Sequence, residues 1–286
     1  MSRIRGFLWR LVREWVPVIA AVLVIRAFVV ESFLVPTGSM LNTIYIGDAM
    51  LVNKFVYGIK LPFSDRVVIP VSSPRRGDII VFRFPADPDE PKDPANPHRY
   101  QRIFPRWLQL LPLFWDRQRS FFVWYTPQNY VKRCVAIALD TVEYRDKRLY
   151  VNGQLQTEPY VIHSDRMVFP GLESVAQFNP DLRRYVGNFQ SEWENRRFFR
   201  NRELSPFVRD NFGPVVIPPG HCMAMGDNRD NSEDSRFWGP LDLRYVKGRP
   251  MVIYFSSSAA SNPPNLLKIL LSPWAIRVQR IGRLVR

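Results

Sequence analysis

At 286 residues and 46% hydrophobic, the chain can bury one sizeable core with embellishments or two small ones; 25 prolines against 14 glycines argue for short strands and many loops over a mainly helical fold. The formal net charge of +14 is concentrated at the ends, with +3 in residues 1–14 and +5 in residues 266–286, both interleaved with apolar side chains. That pattern suits an anionic lipid surface and argues against a nucleic-acid partner, while Cys134, Cys222, His98, His163 and His221 are too scattered for a metal-ligand spacing.

The first element in chain order is an apolar run. Trp15 to Ile25, WVPVIAAVLVI, is uninterrupted, and Arg26 and Glu31 punctuate a continuation to Val35. Roughly 20 helical residues cross a hydrocarbon core of ~30 Å, so residues 15–35 predict a transmembrane helix in which Arg26 snorkels toward one end. The arginines of residues 1–14 put the N-terminus in the cytoplasm, and residues 36–286 then form an extracytoplasmic domain. Two other readings compete: a cleaved secretory signal, which lacks an A-x-A site after the apolar run, and an interfacial helix, which the two interior charges favour.

Beyond the run, alternation and β-branched residues predict strands over Ala49–Val56, Asp78–Phe84 and Asn129–Ile137. TVEYRDKRLYVNGQLQ, from Thr141, reads as strand, polar turn, strand and a tight Asn152-Gly153 turn; HCMAM and RPMVIYF add two more strands. The expected architecture is mainly β, a meander with two insertions at about 85–126 and 160–211. The first insertion is proline-rich, then dense in aromatics and arginine; it reads equally as a headgroup-docking surface and as a helical subdomain burying its own aromatics.

Three segments carry candidate chemistry. In VPTGSM, Gly38 permits a tight turn, Ser39 offers a hydroxyl and an N–H for a developing oxyanion, and Thr37 a second donor; the same residues also make an ordinary turn. Lys132 stands inside an apolar strand, sharing a face with Tyr130, Cys134 and Ala136 while Arg133 sits on the other. A lysine titrates near ~10.4, so acting as a base near neutrality requires burial away from carboxylates; the competing role is a snorkelling edge-strand lysine. In GDNRDNSEDSR, Ser232 could orient an amine and Asp234 could pair with Arg236, or the whole could be a solvated turn.

In this order, VPTGSMLNTIYIGDAMLVNKF, RRGDIIVFRFP, YVKRCVAIALD and GDNRDNSEDSRFWGP resemble the bacterial type I signal peptidases, Ser/Lys membrane endopeptidases that remove signal peptides. The resemblance covers most of the chain outside the insertions. It implies a coiled β-sheet catalytic domain on the periplasmic side of the inner membrane, Ser39 as nucleophile and Lys132 as general base, without any cofactor. It implies further that Ser232 orients the lysine amine, that Thr37 joins the Ser39 N–H in the oxyanion hole, and that Asp234 and Arg236 form a structural ion pair. Phe33, Val35, Met40, Ile44, Met50, Val81, Tyr130 and Val131 match the shallow pockets that accept small residues at positions −1 and −3 of a signal peptide. The implied partners are preprotein signal peptides and the lipid bilayer, with the enzyme monomeric. Two departures stand out: Asn42 replaces a frequent proline, and Ala136 to Asp140 reads AIALD where the family usually has Gly-x-Pro-Gly-Asp. The alternatives are a self-cleaving regulator of the same Ser/Lys fold, and a membrane-tethered scaffold with no enzyme activity.

Overall fold

Alternating β-branched and aromatic residues build sixteen strands among the residues described by the computed structural model, namely 9, 13–19, 21–22, 24–25, 28–60, 67–85, 99–103, 113–125, 128–259 and 272–286. They are β1 (Val30–Leu34), β2 (Asp48–Asn53), β3 (Ile59–Lys60), β4 (Val67–Ile69), β5 (Ile79–Arg83), β6 (Tyr100–Arg102), β7 (Leu113–Asp116) and β8 (Phe121–Trp124). The second half of the chain contributes β9 (Asn129–Ile137), β10 (Thr141–Arg145), β11 (Arg148–Val151), β12 (Gln154–Leu155), β13 (Phe212–Val216), β14 (His221–Met225), β15 (Leu241–Asp242) and β16 (Val246–Ser256). Residues 1–8, His98, Lys268 and Arg26, and with them most of the basic tail and parts of the first insertion, lie outside the described residues.

The mainly β expectation holds, and the meander does not. The large sheet runs β1-β2-β16-β5-β9-β14-β15, so the 11-residue β16 inserts between β2 and β5 instead of closing an edge. Its register shifts against both neighbours, between Pro250 and Val252 on β2 and between Val246 and Gly248 on β5, mark bulges that bend a strand and raise its twist. A second sheet, β12-β11-β10-β13, is closed by tight turns: Asp146 and Lys147 both take positive φ between Arg145 and Arg148, as a two-residue hairpin loop requires.

The apolar run ends earlier than expected. Described residues between 9 and 28 are helical, but Val30–Leu34 is β1, paired in register with β2. Glu31, which interrupts the run, meets Lys54 at 3.3 Å, a pairing open to a sheet edge and not to lipid. Among the described residues, no helix is long and apolar enough to cross a membrane.

The two insertions fold differently. The described part of the first is the three-stranded sheet β6-β7-β8, with Phe114 and Asp116 buried and Phe121 and Phe122 exposed, so that part is β and not helical. In the second, short helices carry Tyr185, Trp193 and Phe198 into one core with Val142, Tyr144 and Phe212 of the second sheet. A separate core of Val35, Met40, Ile44, Met50, Val52, Ile79, Val81, Ile253 and Val285 lies against β1, β2, β5 and β16.

Candidate active site

The turn after β1 and the middle of β9 meet across 93 residues of sequence. Lys132 Nζ donates to Ser39 Oγ at 2.5 Å, with the lysine 3% and the serine 9% exposed. Burial pushes the Lys132 ammonium down to about 8; the carboxylates of Asp234, Glu233 and Asp227 pull the other way, and Arg236 adds to the depression. Lys132 makes no ion pair with any described carboxylate. With antiparallel neighbours β5 and β14 on either side of β9, the lysine's face of the strand is shut away from solvent, and Tyr130 presents its ring 5.6 Å from the amine.

The Ser39 turn is one turn of helix-like chain. Leu41 N donates to Gly38 O, and Thr43 and Ile44 N both donate to Met40 O, while the Ser39 and Met40 N–H groups donate to nothing described. The carbonyls of such a turn point one way and its N–H groups the other. On the carbonyl side lies the loop after β14. Asn228 N donates to Ser39 O at 3.1 Å, and Asn228 Nδ2 donates to Gly38 O at 3.2 Å. Gly226 is required here, since a Cβ would come within 2.5 Å of Ser39 O and 2.2 Å of Ser232 Oγ.

Asp234 and Arg236, both 0% exposed, pair at 2.9 Å; the carboxylate also accepts from Gly226 N and caps the helix Ser235–Trp238. Burial works against the Asp234 carboxylate, but Arg236 outweighs it and holds it below the usual range. The guanidinium also donates to Arg229 O, so the pair braces the loop that touches the Ser39 turn. Ser232 Oγ is buried and has no hydrogen-bond partner among the described residues, so the bond to the lysine amine that the resemblance implies is not formed. Thr37 is exposed, one residue ahead of Gly38.

Seven of the eight pocket residues, Phe33, Val35, Met40, Ile44, Met50, Val81 and Val131, fall in one apolar cluster; Tyr130 belongs to another, stacked on Phe84 at 4.3 Å. Val35, Met40, Ile44, Met50 and Val81 are sealed inside, leaving Phe33, Tyr130 and Val131 partly exposed.

Sequence reasoning missed several partners. Arg133, one residue past the lysine and on the opposite face, grips Asp227 with two bonds at 2.9 and 2.7 Å, and Thr43 donates to the same carboxylate. Arg280 bonds Asp48, which also accepts from Tyr45 N and Ser256 Oγ, tying the C-terminal segment to the loop that carries Ser39. A cation inside an apolar strand was the visible signal for Arg133; nothing in spacing marks its partner 94 residues away. Cys134 and Cys222 are free and buried.

The departures have conformations of their own. Asn42 lies at φ 82°, which proline cannot adopt, and Leu139 lies at φ 71° where the family's glycine would sit without strain.

A buried serine hydroxyl in contact with a buried lysine amine on a large antiparallel sheet is an arrangement that suits a hydrolase, and comparison with known proteins specifies the family. The sequence pattern described as "Signal peptidase, peptidase S26" matches residues 8–255. "Signal peptidase I" of Pseudomonas aeruginosa is 35% identical over 271 residues, 90% of this chain and 76% of that one. The same-named protein of Pseudomonas fluorescens is 34% identical, again over 90% and 76%, and that of Aquifex aeolicus 29% identical over 93% and 94%. The chain belongs to the signal peptidase family of S26 serine endopeptidases.

Proposed function

We propose that the protein removes signal peptides from exported preproteins by a Ser39/Lys132 mechanism, cleaving after small residues in an Ala-x-Ala pattern. The observation that carries the reading is the 2.5 Å contact between Lys132 Nζ and Ser39 Oγ in a buried site where the amine titrates near 8. At that value the neutral amine is accessible near physiological pH, and a serine hydroxyl needs such a base.

Neutral Lys132 takes the Ser39 proton as Oγ attacks the scissile carbonyl. The oxyanion is met by the unpartnered Ser39 N–H and by Thr37, and the ammonium then protonates the leaving amine. Lys132, neutral again, deprotonates the water that hydrolyses the acyl-enzyme and regenerates Ser39. The Ser232 hydroxyl, unpartnered as it stands, swings onto the amine when substrate excludes water. Phe33, Tyr130 and Val131 are the exposed walls that touch the substrate's small side chains, and the buried Val35, Met40, Ile44, Met50 and Val81 form the floor that keeps the pockets shallow. Asp234 and Arg236 act by bracing the loop. No metal or cofactor enters these steps.

The helical residues ahead of β1 form the membrane anchor, with the N-terminus cytoplasmic and the catalytic domain outside. Its support is the apolar run itself, in which Trp15, Val16, Val18, Ile19, Val22, Val24 and Ile25 are each more than half exposed. The test of function is cleavage of a preprotein bearing an Ala-x-Ala junction by the detergent-purified chain, wild type beside Lys132→Ala, from about pH 6 to pH 10. Cutting by wild type alone, rising through about pH 8, is expected; equal cutting by both proteins would reject Lys132 as the base.

A further inference from the structure

We infer that Asn228 is a positioning residue for the oxyanion hole: its side-chain amide, by holding Gly38 O, fixes the Gly38–Ser39 peptide plane so that the Ser39 N–H faces the substrate carbonyl. The inference deepens the reading of Ser39 as nucleophile and rests on it.

A trans peptide is planar, with its C=O and N–H directed oppositely. The donors that anchor Gly38 O therefore fix where the Ser39 N–H points without touching the substrate: Leu41 N from within the turn, and one from outside it. Asn228 supplies that donor at 3.2 Å, and its backbone N–H anchors the next carbonyl, Ser39 O, at 3.1 Å. Both anchors lie on the carbonyl side of the turn, leaving the Ser39 N–H without a partner among the described residues and open to a ligand.

Three further observations separate this role from a loop asparagine satisfying its own backbone. Asn228 stands at the N-cap of the one-turn helix Arg229–Asn231, where asparagine ordinarily bonds the following N–H groups, yet it makes no capping bond. It is 3% exposed, so its amide is withdrawn from water to make this one side-chain contact. Its Oδ1 has no partner among the described residues, so no second side-chain bond accounts for its orientation, and Gly38 O, an acceptor, admits only Nδ2.

The loop itself is rigidly located. Asp227 accepts from Arg133 and Thr43, Ile162 N donates to Asp227 O, and Arg229 N donates to Ile162 O, so Asn228 is held from both neighbours. Its amide can thus transmit a fixed position to the turn. Removing a direct oxyanion donor costs about 10²–10³ in kcat; removing the Asn228 amide leaves the donor present and Gly38 O held by Leu41 N alone, so the peptide plane is less closely fixed, at a cost of about tenfold or more.

The experiment compares wild type, Asn228→Ala, Asn228→Leu and Ser39→Ala of the full chain in detergent, on a preprotein or a peptide with an Ala-x-Ala junction. Asn228→Leu keeps the side-chain volume without the donor, so a loss shared with Asn228→Ala is a loss of the bond and not of packing. The expected result is a fall in kcat of about tenfold or more in both variants, with KM within about twofold and the pH midpoint of kcat unchanged, because Lys132 is untouched. An unchanged kcat in both folded variants overturns the inference. So does a fall in kcat accompanied by a shifted pH midpoint, which would mean that Asn228 acts on the lysine. Full cleavage by Ser39→Ala would instead remove the nucleophile reading on which the inference rests, a result distinct from either.

Discussion

The two faces of β9 carry adjacent cations with opposite fates. Lys132 and Arg133 are each 3% exposed, and burial works against the charge of each. Arg133 is compensated by two bonds to Asp227, a bond to Gly77 O and the Tyr160 ring 3.7 Å below it. Lys132 has a serine hydroxyl and an aromatic ring, and is bound to no carboxylate among the described residues. The same burial therefore yields a closed ion pair on one face and a labile proton on the other. What sets the chemistry is where the partners stand, not how deep the cation lies.

Removing the labile side has the largest effect. Lys132→Ala, and equally Lys132→Arg, whose guanidinium does not deprotonate, should lower preprotein cleavage by at least about 10²–10⁴, measured as kcat at pH 8. Loss confined to the alanine variant would mean that charge, not basicity, matters on that face.

Breaking the fixed side should strike stability first. Asp227→Ala leaves Arg133 buried and unpaired and should cost about 3–5 kcal/mol, read as a lowered thermal or denaturant midpoint. A variant as stable as wild type would show that Arg133 finds water, and the contrast between the faces would collapse.

Lys132 also burdens the fold. Its amine titrates near 8 when folded and near ~10.4 when unfolded. Below about pH 8 both states hold the proton, and the folded state bears the whole burial penalty, about 3 kcal/mol. Between the two values only the unfolded chain holds it, so stability rises with pH through that window. Lys132→Met, which fills the same space without charge, should therefore raise the melting temperature at pH 7 and flatten the rise between pH 8 and 10, while abolishing cleavage. A melting temperature at or below wild type would mean that the ammonium is solvated.

How legible all this is from sequence depends on range. β9 and β14 match their predicted bounds to the residue, because alternation is a local signal that tertiary contacts reinforce. The position of β16 between β2 and β5 is not local: its alternation announces a strand and says nothing of its neighbours. β1 was concealed because VESFL continues an apolar helix in composition, and only pairing with β2 separates the two. In the site, Ser39 and Lys132 were visible as residues out of keeping with their surroundings. Asn228 and Arg280 were not, since an asparagine in a polar loop and an arginine in a basic tail look ordinary until their partners are known.

The smallest effect lies at the far end of the same strand and tests backbone where the others test charge. β9 ends in a turn that Asp140 organises, accepting from Ile137 N, Asn152 Nδ2 and Arg76, while Leu139 N donates to Ile217 O. That geometry holds Leu139 at φ 71° with 73% of its surface exposed, so its side chain contributes little burial and its backbone bears the strain of a left-handed residue. Leu139→Gly relieves the strain, at the cost of a more flexible unfolded chain, and should stabilise the protein by roughly 0.5–1 kcal/mol with cleavage unchanged. Asn42→Pro is its counterpart, since φ 82° forbids the ring, and it should destabilise the Ser39 turn by more than that gain. If glycine at 139 lowers the melting temperature, the turn after β9 is not strained, and the strand holds its lysine without any local backbone cost.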